Sequence, residues 1–278
     1  KMARCCDGNL QCDAVLVSNP EDVCYLHSWE HGSFGELFDP VAAEQSKRGC
    51  GACELIHLQE RHASGRPICL HLSLMEALHL VSKGTLQIWQ AHQPSEVADS
   101  RGTLLSEAVC WQLFAANSLR FPYEYAAYCA LRTAGWVVRS GVTFGADFSL
   151  YAPTAERKAH AMLCALVAVP SLDPQRNWCW LQQHVRLCHH VAKGLLLCEV
   201  ATSDTQQQHG ECNLAELSGR ACLARLDVRM LRVATWSPAK AHAASSSTQH
   251  HAPHALVPVA SSSGLGAPNS ELNEPIVD

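Results

Sequence analysis

The residues best suited to chemistry on a phosphate-rich partner lie in the middle of the chain. Residues 120–193 contain eight Lys and Arg residues and four Asp and Glu residues, although the whole chain has a formal net charge of −5. A polyanion should therefore meet the chain here. A two-metal nuclease needs several converging carboxylates, which this stretch lacks. Cleavage of a phosphodiester would rely on proton transfer and on cationic side chains, and we expect no metal or other cofactor.

Sequence motifs for other kinds of site are missing. The chain has no phosphate-cradling glycine loop, dinucleotide fingerprint, H-E-x-x-H or G-x-S-x-G. Cys50 and Cys53 form a Cys-x-x-Cys without a second pair at zinc-finger spacing. Together with Cys5, Cys6 and Cys12 they leave a zinc site open as an alternative to ordinary thiols.

The bulk composition is that of a folded protein. Hydrophobic residues make up 47% of the 278 residues, and no run approaches 18 apolar residues, so we expect a packed core and no membrane span. The fifteen cysteines are an odd number in a long chain whose first residues show no apolar signal core. We therefore expect a reduced, intracellular protein.

Periodicity and turn residues predict the elements that must position a site. Ser73 and Glu76 have the spacing of a capping box, before a helix that uses Leu72–Val81 and ends at Lys83-Gly84. The other predicted elements are a strand at 85–89, helices at 105–116, 123–133 and 178–192, and strands at 136–138, 147–151, 162–169, 195–200 and 228–235.

These elements indicate an α/β (α+β) protein. We expect an N-terminal α/β module at residues 1–92, whose first 20 or so residues could be disordered, and a polar linker at 93–103. A mixed-sheet, nuclease-like domain with flanking helices would occupy residues 104–238. An Ala-, Ser-, His- and Pro-rich tail at 239–278 has little to bury and is expected to be disordered.

Six stretches of the chain are considered together: 131–141 (LRTAGWVVRSG), 144–151 (FGADFSLY), 159–161 (AHA), 178–200, 29–35 (WEHGSFG) and 72–77 (LSLMEA). They resemble the tRNA-splicing endonucleases, and in detail the larger catalytic subunit of the eukaryotic enzyme, which cuts the 5′ splice site. The resemblance is strong over 121–200 and weaker over the rest of 21–238.

The resemblance implies a catalytic triad of Tyr151, His160 and Lys193. Tyr151 would take the proton from a ribose 2′-OH, His160 would protonate the departing 5′-oxygen, and Lys193 would balance charge on the phosphorane. A free tyrosine is a weak base at neutral pH, but a nearby ammonium stabilises the phenolate. Histidine suits proton donation near neutrality. Taken singly, the three residues also fit a packing tyrosine, an exposed histidine and a cation at a helix C-terminus.

The resemblance also implies how substrate and partners are held. Arg186 and Trp236 would stack on a splayed base at the site cut by the partner subunit. The substrate would be precursor tRNA, and the assembly a heterotetramer with a second catalytic subunit and two structural subunits. The expected compartment is the nucleus, with a cytoplasmic or organelle-associated location as the alternative.

Two other functions stay open on the sequence. One is a non-catalytic structural RNA-binding subunit of the same assembly, which would keep the fold but lose the triad. The other is an unrelated α/β domain whose basic stretch is an ordinary solvated face.

Overall fold

The computed structural model describes residues 4–11, 13–38, 68–91, 102–153, 160–173, 175–202 and 219–233. Several predictions fall outside these residues: the Cys50–Cys53 pair, Trp236, most of the linker and the C-terminal tail. None of the helices in the described ranges is long and apolar enough to cross a membrane.

The first of two mixed sheets has six strands in the order β3-β4-β2-β1-β5-β6. Strands β1 and β5 are parallel, and the other neighbours are antiparallel. The strands are β1 (Cys6–Leu10), β2 (Ala14–Val17), β3 (Glu36–Phe38), β4 (Cys69–Ser73), β5 (Leu86–Gln90) and β6 (Thr103–Leu105). Helix α1 (Pro20–His27) follows β2, and helix α2 (Leu74–Ser82) links β4 to β5.

The second sheet has five strands in the order β11-β10-β9-β8-β7. Strands β9 and β10 are parallel, and the other neighbours are antiparallel. The strands are β7 (Val137–Ser140), β8 (Phe148–Tyr151), β9 (Leu163–Ala168), β10 (Gly194–Thr202) and β11 (Leu226–Val233). The helices are α3 (Glu107–Asn117), α4 (Phe121–Thr133), α5 (Trp178–His190), which links β9 to β10, and α6 (Gly219–Leu223).

One cluster of buried side chains draws on both sheets and on helices α2, α3 and α4. A smaller cluster lies between α5 and the second sheet and contains Cys164, Leu166, Cys188 and Leu195. Burial raises the pKa of the Cys164 thiol to about 12, so this thiol stays protonated and packs as a small hydrophobe. The predicted α+β class is confirmed.

The capping box at the start of α2 is confirmed. The Ser73 hydroxyl accepts a hydrogen bond from the Glu76 amide at 3.3 Å, and the Glu76 carboxylate accepts one from the Ser73 amide at 2.9 Å. The same box excludes Leu72 from the helix, because the residue before the N-cap lies outside it. Leu72 is instead a buried residue of β4.

The helix predicted at 105–116 is present as α3, but the apolar spacing that predicted it (Leu105, Val109, Leu113 and Ala116) does not mark its buried face. Val109 and Leu113 are exposed, Leu105 belongs to β6, and the buried residues include Trp111 and Phe114. This helix is apolar on nearly all sides, so spacing could not identify its buried face. The two large aromatic side chains take the buried positions because they remove the most apolar surface from water.

Candidate active site

Tyr151, His160 and Lys193 lie at the same edge of the second sheet. Tyr151 is the last residue of β8, His160 lies three residues before β9 begins, and Lys193 directly precedes β10. Since β8 and β9 are antiparallel and β9 and β10 are parallel, the end of β8 and the starts of the other two strands meet there. The topology therefore brings together residues far apart in the chain.

The strand register places Tyr151 and Lys193 on one face of the sheet. Leu163 pairs with Leu150 on one side and with Gly194 on the other. One residue further along, Met162 donates to the Leu150 carbonyl at 2.8 Å and accepts from the Gly194 amide at 3.1 Å. Tyr151 and Lys193 therefore flank Met162, with Cα atoms about 10 Å apart across two strand spacings. His160 lies two residues before Met162, in the segment that leads into β9.

The ammonium of Lys193 is held beside the segment that carries His160. Its Nζ atom donates to the Ala161 carbonyl at 3.0 Å and lies 4.6 Å from the centroid of the Phe144 ring. The latter contact is a cation–π interaction. Lys193 is half-buried and His160 is exposed, so an ammonium and an imidazole face the same solvent-accessible edge.

A residue in the left-handed conformation, Ala192, connects helix α5 to Lys193 and strand β10. Ala192 has φ 53°, and the Lys193 amide donates to the Cys188 carbonyl at 2.9 Å. This is the long backbone bond of a helix C-cap. Glycine is usual at the left-handed position, so the alanine is strained here.

The ring of Tyr151 is packed by residues from elsewhere in the chain. Trp29, in a 3-10 helix at Trp29–His31, meets it edge to face at a centroid distance of 6.1 Å. The guanidinium carbon of Arg139 on β7 lies 5.8 Å from the Tyr151 centroid. Tyr151 is half-buried. Its ring is therefore enclosed from two sides.

The structure describes only one of the two residues predicted to stack on a nucleobase. Arg186 lies on helix α5 with its side chain exposed, a position that a macromolecular ligand can reach. Trp236 lies outside the described residues. The structure therefore places one member of the predicted pair on an accessible surface.

The structure also surrounds the site with residues to which the sequence assigned no role. These are Trp29, Ser33, Arg139 and Phe144. All four lie within the stretches that carry the resemblance. That location was the only signal, because no local spacing links them to Tyr151 or Lys193.

Comparison with known proteins assigns the family. The family described as tRNA intron endonuclease, catalytic C-terminal domain, matches residues 121–208. A tRNA-splicing endonuclease from Hyperthermus butylicus is 30% identical over 138 residues, which cover 49% of this chain and 68% of that protein. The chain belongs to the tRNA-splicing endonuclease family. The resemblance found in the sequence is thereby confirmed.

Other relatives of this tRNA-splicing endonuclease family member include archaeal and eukaryotic proteins. A tRNA-splicing endonuclease from Saccharolobus solfataricus is 28% identical over 188 residues, covering 67% of this chain and 85% of that protein. A probable tRNA-splicing endonuclease subunit Sen2 from Oryza sativa is 34% identical over 143 residues, covering 48% of this chain. The alignment spans 44% of the rice protein's length. Tyr151, His160 and Lys193 all lie within the matched catalytic domain.

Proposed function

We propose that this chain is a catalytic subunit that cleaves precursor tRNA at an intron boundary. The observation that carries the proposal is that Tyr151, His160 and Lys193 lie at one edge of the second sheet, inside the matched catalytic domain. A phenol, an imidazole and an ammonium can together supply the proton transfers and the charge stabilisation of metal-free phosphodiester cleavage.

In the proposed reaction the substrate supplies its own nucleophile. Tyr151 takes the proton from a ribose 2′-OH, whose oxygen attacks the adjacent phosphorus. The bond from phosphorus to the 5′-oxygen breaks as His160 donates a proton to that oxygen. Lys193 offsets the negative charge that develops on the phosphorane. The products are a 2′,3′-cyclic phosphate and a 5′-hydroxyl.

Several features of the proposal come from the family. The partners would be a second catalytic subunit and two structural subunits in a heterotetramer, and the compartment would be the nucleus. The division into an N-terminal module at 1–92, a linker at 93–103 and a catalytic domain at 104–238 also belongs to the proposal.

The test uses single-turnover cleavage of a precursor tRNA by the reconstituted complex. We expect His160→Ala and Lys193→Ala each to slow cutting at one splice site by about 10²–10⁴-fold, the usual contribution of positioned proton transfer, and to leave the other site intact. His71→Ala, which removes an exposed histidine of β4, is the matched control and should cut both sites normally. Folded His160 and Lys193 variants that cut at wild-type rates would refute the assignment and favour a structural subunit.

The same assay tests the role of metals. Within the described residues, no three His, Cys, Asp or Glu side chains group in a way that could hold an ion. With the RNA folded by spermidine, cleavage should survive excess chelator and leave cyclic phosphate ends. An absolute need for magnesium under these conditions would indicate a two-metal mechanism instead.

A further inference from the structure

The ring of Tyr151 contacts a residue from the region of the first sheet. Trp29, which follows helix α1, meets Tyr151 with a centroid distance of 6.1 Å and an interplanar angle of 67°. This edge-to-face geometry is a favoured aromatic arrangement. The guanidinium carbon of Arg139 lies 5.8 Å from the Tyr151 centroid and 5.9 Å from that of Trp29. One cation therefore contacts both rings.

Arg139 is fixed by the second sheet and by Ser33. Val137 pairs with Tyr151 and Arg139 pairs with Ser149, so Arg139 and Tyr151 are diagonal neighbours on the same face. The Nη2 atom of Arg139 donates a hydrogen bond to the Ser33 hydroxyl. Its Nε atom is buried and has no hydrogen-bond partner in the described part of the chain. A buried N–H without a hydrogen-bond partner lowers the stability of the folded protein. The guanidinium stays in this position because packing and the hydrogen bond to Ser33 hold it there.

Ser33 is itself held in an unfavourable conformation. Its φ is 51° and it is completely buried. A left-handed serine is strained, and strain of this kind persists only where neighbouring contacts enforce it. The adjacent Gly32 carbonyl accepts a hydrogen bond from Arg132 at 2.9 Å, so Arg132 of α4 and Arg139 of β7 both hold this turn.

We propose that Trp29, Ser33 and Arg139 are positioning residues that hold the phenol of Tyr151 in its reactive orientation. The proposal rests on the proposed function, in which Tyr151 is the base. Ser33 orients Arg139, and Arg139 and Trp29 together orient the Tyr151 ring. A segment outside the matched catalytic domain thus completes the catalytic site.

Ser33→Gly is the decisive variant because it separates orientation from folding. Glycine suits φ 51° without strain, so the turn is preserved while the hydroxyl that holds Arg139 is lost. We expect single-turnover cleavage at the site served by Tyr151 to fall by about 10–100-fold, the effect of a misplacement of about 1 Å. The Kd for precursor tRNA should stay unchanged, because the lost contact is with Arg139 and not with RNA.

Substitutions at Trp29 test the aromatic contact with Tyr151. Trp29→Ala should lower the single-turnover rate by a similar factor, and Trp29→Phe should restore most of it, since an aromatic edge remains. Trp89→Ala is the matched control. Trp89 is also half-buried and lies on β5, where its Nε1 atom donates to Asp7 at 3.0 Å. Its loss can lower stability but should leave the cleavage rate unchanged.

A double-mutant cycle with Tyr151→Phe distinguishes this inference from the proposed function. Tyr151→Phe should slow cleavage, and adding Ser33→Gly to it should slow cleavage no further, because the group being oriented is gone. If Tyr151→Phe is slow but Ser33→Gly and Trp29→Ala cut at wild-type rates, the positioning role is wrong while the function stands. Equal slowing by Ser33→Gly in both backgrounds would also overturn the positioning role. Wild-type cleavage by Tyr151→Phe would overturn the proposed role of Tyr151 as the base, and the positioning role with it.

Discussion

The stability of this protein should fall between pH 6.5 and pH 4 because of one half-buried histidine. His79 lies on α2, with its ring 5.6 Å from that of Tyr128 and its Nδ1 atom 3.9 Å from the Cys129 sulfur. Burial, together with the positive charges of Arg132 and Lys83, lowers the pKa of His79 from 6.5 to about 4. In this interval the unfolded chain binds a proton that the folded chain does not. The free energy of unfolding therefore decreases as the pH falls through it.

The size of the effect follows from the width of the interval. Each pH unit is worth about 1.4 kcal/mol for one proton. The full shift would remove about 3 kcal/mol, and partial solvent access of the ring reduces this to about 2 kcal/mol. Below pH 4 the contribution of His79 levels off, because both states are then protonated.

Urea unfolding at pH 7, 6, 5 and 4.5 measures this loss. In His79→Gln the decrease should be smaller than in the wild type by about 2 kcal/mol, since every other titrating group is common to both proteins. His71→Gln removes an exposed histidine of β4 and should keep the wild-type slope. If His79→Gln and the wild type lose stability in parallel, His79 is not the group responsible and its burial has been misjudged.

Two further predictions concern the left-handed residue Ala192 and the proposed stacking pair, Arg186 and Trp236. Ala192→Gly should raise the free energy of unfolding by about 0.5–1 kcal/mol, because glycine adopts the left-handed conformation without steric cost; an unchanged urea midpoint would contradict this. Arg186→Ala and Trp236→Ala should each slow cutting at the splice site not served by Tyr151, with a loss of about 1–3 kcal/mol of base stacking. Arg186→Lys should rescue little, because an ammonium has no flat face, and wild-type rates at both sites in both alanine variants would disprove the stacking role.

The parts of the fold set by local sequence were predicted most accurately. The sequence predicted a helix at 123–133, and the structure has it at Phe121–Thr133, where Pro122 in the first turn and Ala134-Gly135 at the end are local signals. Helix α5 and the capping box of α2 were predicted for the same reason. Of the first sheet only β5 was predicted, at 85–89. Strand β3 has only three residues, and its partner β4 lies beyond residue 68. Pairing between strands that are far apart in the chain produces no pattern within the sequence of either strand.

The candidate site was likewise predicted only in part from the sequence. The family resemblance identified Tyr151, His160 and Lys193, and the pairing of three strands explains how they reach one edge. The contact between Trp29 and Tyr151 joins residues more than a hundred positions apart. Nothing in the spacing of either residue predicts it. Helix α6 was also missed, because five residues are too few to show helical periodicity.

The direction of α5 determines which groups can attract a phosphate at this edge. Its C-terminal end, where exposed carbonyl oxygens carry partial negative charge, points toward Lys193. Amides of the following residues cover the Leu187, Cys188 and His189 carbonyls, which weakens the repulsion without creating an anion site. Many proteins bind phosphate with backbone amides at a helix N-terminus. Helix α5 offers no such site at this edge. For the RNA that we propose as substrate, we therefore expect side-chain cations to supply the attraction and the affinity to fall steeply with salt concentration.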